Sequence, residues 1–104
     1  MDIDELKKQS DRSYGIALAK QNALEKARSR MILAHDGHLF LADPETINLV
    51  GTLSKNHGQF VILDTNNNPY MVTDPSALLD SLTAKNQEVL NTYHQAYKEF
   101  TRLR

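Results

Sequence analysis

The stretch Met31-Ile-Leu-Ala-His-Asp-Gly-His-Leu-Phe-Leu-Ala-Asp-Pro44 holds two apolar runs, an Asp-Gly pair between them and an Asp-Pro pair after them. Asp36-Gly37 predicts a two-residue hairpin turn, because both central positions of such a turn need a positive φ. Asp43-Pro44 predicts a helix start, with the aspartate as N-cap and the proline at the first helical position, where a backbone N–H is not needed. The stretch therefore predicts a β-hairpin that leads directly into a helix running to about residue 54.

The same order of signals returns downstream. Two apolar runs, at residues 60–64 and 70–73, flank the turn-rich connector Thr65-Asn-Asn-Asn-Pro69, and Asp74-Pro75 then opens another helix. We interpret residues 31–58 and 59–104 as two hairpin–helix units. The matched residues are few. The two units could have arisen by duplication, or they could have converged independently on the same pattern of hairpin and helix cap.

One long helix is predicted before the two units, over residues 1–30. This segment has no proline and is rich in residues that favour helices. Acidic residues lie near its start and basic residues near its end, as the helix dipole prefers. The 104 residues fit a single domain. The predicted fold class is α+β, with a long helix at each end and the two hairpins joined in one antiparallel sheet.

Both faces of each predicted hairpin are apolar, because side chains alternate along a strand. One face of the first hairpin carries Ile32, Ala34, Leu39 and Leu41, and the other carries Met31, Leu33, Phe40 and Ala42. The second hairpin places Phe60, Ile62, Tyr70 and Val72 opposite Val61, Leu63 and Met71. A sheet with two apolar faces must be covered on both sides. The helices could provide that cover, or one face could meet a second copy of the protein.

The last helix carries an apolar seam whose steps alternate between three and four residues, the spacing of paired helices. The seam runs through Leu79, Leu82, Asn86, Val89, Tyr93, Ala96, Phe100 and Leu103. One interpretation is a helix that faces the core of its own domain. The other is a homo-oligomer interface, in which Asn86 fixes the register. That interface would consist of Leu82, Asn86, Val89, Tyr93, Ala96 and Phe100, with the small residues Ala23 and Ala27 as the receiving surface.

Charge argues against a dedicated nucleic-acid binder, since 12 Lys and Arg nearly balance 13 Asp and Glu. The best local candidate for such a function is the basic set Lys20, Lys26, Arg28 and Arg30, which is equally typical of a solvated helix face. The charged N-terminal segment does not resemble a signal peptide, and the apolar runs are too short to cross a membrane. We therefore expect neither nucleic acid nor a membrane among the partners.

Little in the sequence indicates chemistry. His35 and His38 flank the first turn and could approach a metal ion together, but zinc sites normally need three or four ligands. Residues 64–75 imitate a calcium loop, except that prolines occupy the positions of its glycine and its bidentate glutamate. Cysteine, a glycine-rich phosphate loop and a nucleophile elbow are all missing. We predict no metal, no cofactor and no catalytic residue, and hence a protein that is not an enzyme.

Several segments together resemble a known group of proteins: Asp4-Glu-Leu-Lys-Lys-Gln-Ser10, residues 14–20 and 27–31, Leu63-Asp-Thr-Asn66 and Asn86-Gln-Glu-Val-Leu-Asn91. Over nearly the whole chain, the amino-acid sequence is similar to that of short proteins without known activity from contractile-tailed phages of cyanobacteria. The resemblance transfers no catalytic residue. It implies a phage product located in the host cytoplasm or in the virion.

Taken together, these patterns favour a non-enzymatic protein that binds other proteins and self-associates, as a structural or assembly component of a phage. The alternative is a small regulatory module that binds a host protein or nucleic acid.

Overall fold

The computed structural model describes residues 3–102, with the side chains of residues 10 and 11 left aside. Leu103, the last residue of the predicted seam, lies outside this range. The order of elements is α1 (Ile3–Ser29), β1 (Ile32–His35), β2 (His38–Leu41), α2 (Pro44–Asn56), β3 (Phe60–Leu63), β4 (Pro69–Val72) and α3 (Pro75–Arg102). This order confirms the α+β class, with a long helix at each end and two hairpins that each lead into a helix.

The first hairpin forms as its turn residues predict. β1 and β2 are antiparallel, and the pair His35 and His38 closes the ladder next to the turn. Asp36 has a φ of 50° and Gly37 a φ of 78°. Both central residues thus adopt the left-handed conformation that a tight two-residue turn requires.

The two hairpins do not join into one sheet, so that part of the prediction was wrong. Each forms its own two-stranded antiparallel sheet. A backbone hydrogen bond from Thr65 N to Leu39 O, 2.9 Å long, links the connector of the second hairpin to β2. The N–H groups of Asn66 and Asn68 instead donate to the Asp64 side chain. These two N–H groups are therefore used within the connector and do not extend a ladder to β2.

Both Asp-Pro pairs begin helices. The Asp43 carboxylate accepts a 2.9 Å hydrogen bond from the Thr46 N–H at the start of α2. Asp74 makes the equivalent bond to Ala77 N at 3.2 Å. Each cap satisfies one of the backbone donors that the first turn of a helix leaves unpaired.

The main core lies where the inner faces of the hairpins meet α2 and the first half of α3. Its buried members are Phe40, Ala42, Val50, Phe60, Ile62, Val72, Leu78 and Leu82. These residues come from both hairpins and both following helices. The two hairpin–helix units therefore share one core, and we name residues 31–84 the head.

A second, smaller cluster joins α1 to the second half of α3. Ala27, Met31 and Val89 are buried in it, and Tyr93 packs against them. The two helices run antiparallel, because Ala27 lies near Val89 whereas Lys20, earlier in α1, lies over the ring of Tyr97. We name α1 together with residues 85–102 the stalk. With the head it gives a molecule of 66 × 23 × 20 Å.

Candidate interaction surfaces

The inner half of the predicted seam belongs to the core of the chain. Leu82 is fully buried, and Asn86 and Val89 retain only 6% and 5% of their exposure. Side chains enclosed by their own chain present no surface to a second copy. For these three residues the oligomer-interface prediction is corrected, because the head and α1 cover this part of α3.

Asn86 has an intramolecular role. Its side-chain N–H donates to the Ala42 carbonyl oxygen at 2.9 Å, and its side-chain oxygen accepts from the Gln87 side chain at 3.1 Å. A buried amide is tolerated when its groups are hydrogen-bonded. Asn86 thus fixes the position of α3 along the segment that follows β2. It sets the register of two elements of the same chain, and not that of two copies.

The outer half of the seam is only half covered. Tyr93, Ala96 and Phe100 are partly buried, as is Ala23, while Ala27 is buried. Ala23, Ala27, Tyr93 and Ala96 line one groove between α1 and α3. The structure therefore brings the predicted seam and its predicted alanine receiving surface together inside one chain.

The basic set is divided between different surroundings. Lys26 and Arg30 line the groove between α1 and α3. Lys20 lies 5.8 Å from the centre of the Tyr97 ring, in a cation–π contact farther along the stalk. Arg28 is exposed and belongs to a different side of α1. The four cations do not form a single basic face.

The two histidines of the first hairpin do face each other, as their register predicts. However, the Nδ1 atom of His38 is 2.7 Å from the Asp64 Oδ2 atom, so this nitrogen is engaged by a carboxylate. Within residues 3–102, no group of three or more His, Cys, Asp or Glu side chains is placed to hold a metal ion.

Asp64 connects the tips of the two hairpins. Its buried carboxylate receives hydrogen bonds from His38, Asn68 N and Asn66 N. These bonds, with that from His38 the largest contribution, lower the pKa of Asp64 below its ordinary value of 3.8. The sequence places Asp64 at the end of an apolar run, just before the turn-rich connector, and does not indicate its contact with His38. An aspartate before an Asn-rich connector does signal an Asx turn, but nothing local points to a histidine 26 residues away.

Tyr70 adds a second connection between the hairpins. Its hydroxyl donates to the Asp36 carboxylate at 2.5 Å, and its ring centre lies 4.8 Å from that of His38. The hydrogen bond to Asp36 is the largest cause that raises the pKa of Tyr70 to about 12, since ionisation would remove the donated proton. Together with Asp64, these contacts hold the two separate sheets at one relative orientation.

The outward faces of the two hairpins are apolar and uncovered. Each large side chain on them keeps between 42% and 60% of its exposure: Ile32, Leu39, Leu41, Val61, Leu63 and Met71. The inward partners His38 and Asp64 bond to each other, and the Leu39 carbonyl bonds to the Thr65 N–H. Because side chains alternate, Leu39 and Leu63 point outward beside these two bonds, each from its own hairpin. We name these six residues the hairpin patch.

Comparison with protein-family models, curated proteins and solved structures gave no match for this chain. Among the helices formed by residues 3–102, none combines the length and the apolar character that a membrane span needs.

Proposed function

We propose that this protein is a non-enzymatic interaction protein that self-associates, with the hairpin patch of one copy against that of another. In the phage setting that the sequence resemblance implies, it would serve as a structural or assembly component. The observation that carries the proposal is a set of six large apolar side chains exposed on the outward faces of two hairpins that are bonded to each other. Exposed apolar surface of this kind is typical of protein interaction sites.

A second copy is favoured as the partner because the patch carries no charge. Every outward position of the four strands is uncharged, including Ala34 and Pro69 beside the six large residues. In a two-fold symmetric contact each patch meets its own copy. A charged residue near the axis would then meet the same charge, which is costly when desolvated. An uncharged apolar patch is compatible with itself.

The available energy suits reversible association. Covering the remaining exposed half of one such side chain contributes roughly 1 kcal/mol. Twelve side chains in a pair of copies would contribute on the order of 10 kcal/mol, which is comparable to the cost of association of about 4–15 kcal/mol. We therefore expect a dimer that forms with rising concentration.

The test is the solution mass, measured by light scattering coupled to size-exclusion chromatography over a concentration series. We expect the wild type to shift from monomer to dimer, and Leu41→Lys or Met71→Lys to remain monomeric with unchanged circular dichroism. Leu18→Lys is the matched control, since Leu18 is similarly exposed but lies on α1. A wild type that stays monomeric throughout contradicts the proposal, as does a dimer that all three variants retain.

The alternative function, a small regulatory module that binds a host protein or nucleic acid, rests on a different surface. Lys26 and Arg30 line one groove of the stalk beside half-buried apolar residues.

A further inference from the structure

The stalk consists of two helices, which alone cannot enclose a core, so the apolar residues between them stay partly exposed. Along the helix pair beyond the buried Val89, the facing residues Ile16, Tyr93 and Phe100 are only partly buried. Helical bundles bury such seams by adding a third or fourth helix, so that each apolar stripe meets more than one neighbour. One flank of this seam is open for a further helix.

That flank contains a groove of about 390 Å³ between α1 and α3. Its floor is formed by Ala23, Val89, Tyr93 and Ala96. The alanines are short, so a helix laid along the groove could bring its larger apolar side chains close to both backbones. This is the geometry in which an amphipathic helix binds a hydrophobic groove.

The rim of the groove is basic. Lys26 extends from α1, Arg30 from the residue just after α1, and Lys85 from α3. The rim holds one acid, Glu88, 3.9 Å from Lys85. An occupant that presents carboxylates beside its apolar stripe would meet complementary charge mainly from Lys26 and Arg30, because Glu88 partly offsets Lys85.

Charge is also divided over the whole molecule. Residues 12–30 and 85–102 contain eight Lys and Arg against three Glu, whereas residues 31–84 contain one Lys against six Asp and Glu. Pairing this part of the stalk with that of a second copy would bring two basic surfaces together. This part of the stalk therefore disfavours pairing with its own copy and favours an acidic partner.

We propose that the stalk groove binds an acidic amphipathic helix of a different protein, which completes a three-helix bundle. The apolar stripe of that helix lies on Ala23, Tyr93 and Ala96, and its flanking carboxylates face Lys26, Arg30 and Lys85. A nucleic acid would satisfy the cations but would leave the apolar floor uncovered. This inference goes beyond the self-association proposed for the hairpin patch and uses a separate surface.

The probe is a synthetic helical peptide of about three heptads, with Leu at the a and d positions and Glu at the flanking positions. Its control replaces every Glu with Lys. We expect the acidic peptide to bind the full chain with saturation in fluorescence anisotropy, below about 100 µM. We expect the basic peptide to bind at least about tenfold more weakly, because it would place like charges at the rim.

Variants locate the binding site. Lys26→Glu and Arg30→Glu should each lower the affinity for the acidic peptide by about tenfold or more, while the circular dichroism spectrum of the protein stays unchanged. Arg28→Glu is the matched control, with the same change of charge on the same helix but outside the groove, and it should change the affinity by less than about twofold. Leu41→Lys should leave peptide binding intact, which separates this site from the hairpin patch.

Several results would overturn the proposal. They are no binding of the acidic peptide, equal binding of both peptides, and equal effects of Arg28→Glu and Lys26→Glu. Loss of binding with Leu41→Lys would place the peptide on the hairpin patch instead. A labelled DNA duplex that binds through Lys26 and Arg30, while the acidic peptide does not, would assign the groove to nucleic acid.

Discussion

At the scale of single residues, Asp64 shows how one carboxylate can organise two elements. It bonds two backbone N–H groups of its own turn and the imidazole of His38 on the other hairpin. The backbone bonds shape the β3–β4 connector, and the imidazole bond orients that connector against β2. Hydrogen bonds donated to a carboxylate in this way favour its ionised form.

This arrangement predicts a pH dependence of stability. Since the pKa of Asp64 is lowered on folding, its stabilising contribution is present above the ordinary value of 3.8 and is lost as pH falls through the folded pKa. We expect the wild type to lose stability between pH 5 and 3 more steeply than Asp64→Asn. The check is the urea midpoint measured across this pH range.

Asp80→Asn, at an exposed position on α3, provides the control for that comparison. It should keep the steep acid dependence of the wild type. If Asp64→Asn also keeps it, the Asp64 carboxylate is not the group responsible.

At the scale of elements, the helix starts show that a short sequence signal can act locally. Asp43 lies between the first hairpin and α2, and its carboxylate caps the helix by accepting a 2.9 Å hydrogen bond from the Thr46 N–H. Pro44 follows at the first helical position. The cap lies beside Ala42, which is fully buried in the core. An error in the direction of α2 would therefore disturb the packing of Val50 against the hairpins.

We expect Asp43→Ala to reduce the free energy of unfolding by about 1 kcal/mol, the usual cost of a lost N-cap. Asp43→Asn should recover most of this loss, because asparagine also accepts the bond from the Thr46 N–H. Equilibrium urea unfolding of the three proteins is the measurement. Equal losses for the alanine and asparagine variants would show that charge, and not capping, is what matters at this position.

At the scale of the whole molecule, the division into head and stalk predicts uneven stability. The head core buries residues from both hairpins and from α2 and α3, whereas the smaller cluster that joins α1 to the second half of α3 buries Ala27, Met31 and Val89. Parts of a protein with fewer buried contacts open first, in cooperative units. We expect amides of α1 and of the second half of α3 to exchange faster than those of the head.

Val89→Ala should sharpen this difference. Removing two buried methyl groups should destabilise the stalk by about 2 kcal/mol, and native-state hydrogen exchange should show the loss there with little change in the head. Leu78→Ala, in the head core, should instead lower protection throughout by about 3 kcal/mol. Uniform loss of protection in Val89→Ala would show that head and stalk unfold as one unit.

Much of this fold can be predicted from the sequence, because its signals are local. Asp36-Gly37 needs only its own φ angles to form the turn, and each Asp-Pro pair needs only the next turn of backbone to start a helix. The α+β class, the order of elements and the alternation within each strand all follow from residues a few positions apart.

The candidate surfaces depend on contacts between distant residues, and sequence alone left them open. Both faces of each hairpin are apolar, so the pattern could not tell which face the helices cover. The heptad spacing of α3 fits an oligomer as well as a core, and only the position of Ala42 shows that Asn86 is bonded within the chain. The bond between His38 and Asp64 could not be predicted either, because it joins residues that are 26 positions apart.

The sequence by itself thus determined the elements and their ends, through turns, caps and periodicity that act over a few residues. The tertiary structure decided that the hairpins form two separate sheets and that the inner seam is core. It also decided that the outward apolar face of each hairpin and one basic groove remain open. Local preferences depend on neighbouring backbone, whereas burial depends on which elements compete for the same apolar surface. That competition is resolved only when the whole chain has packed.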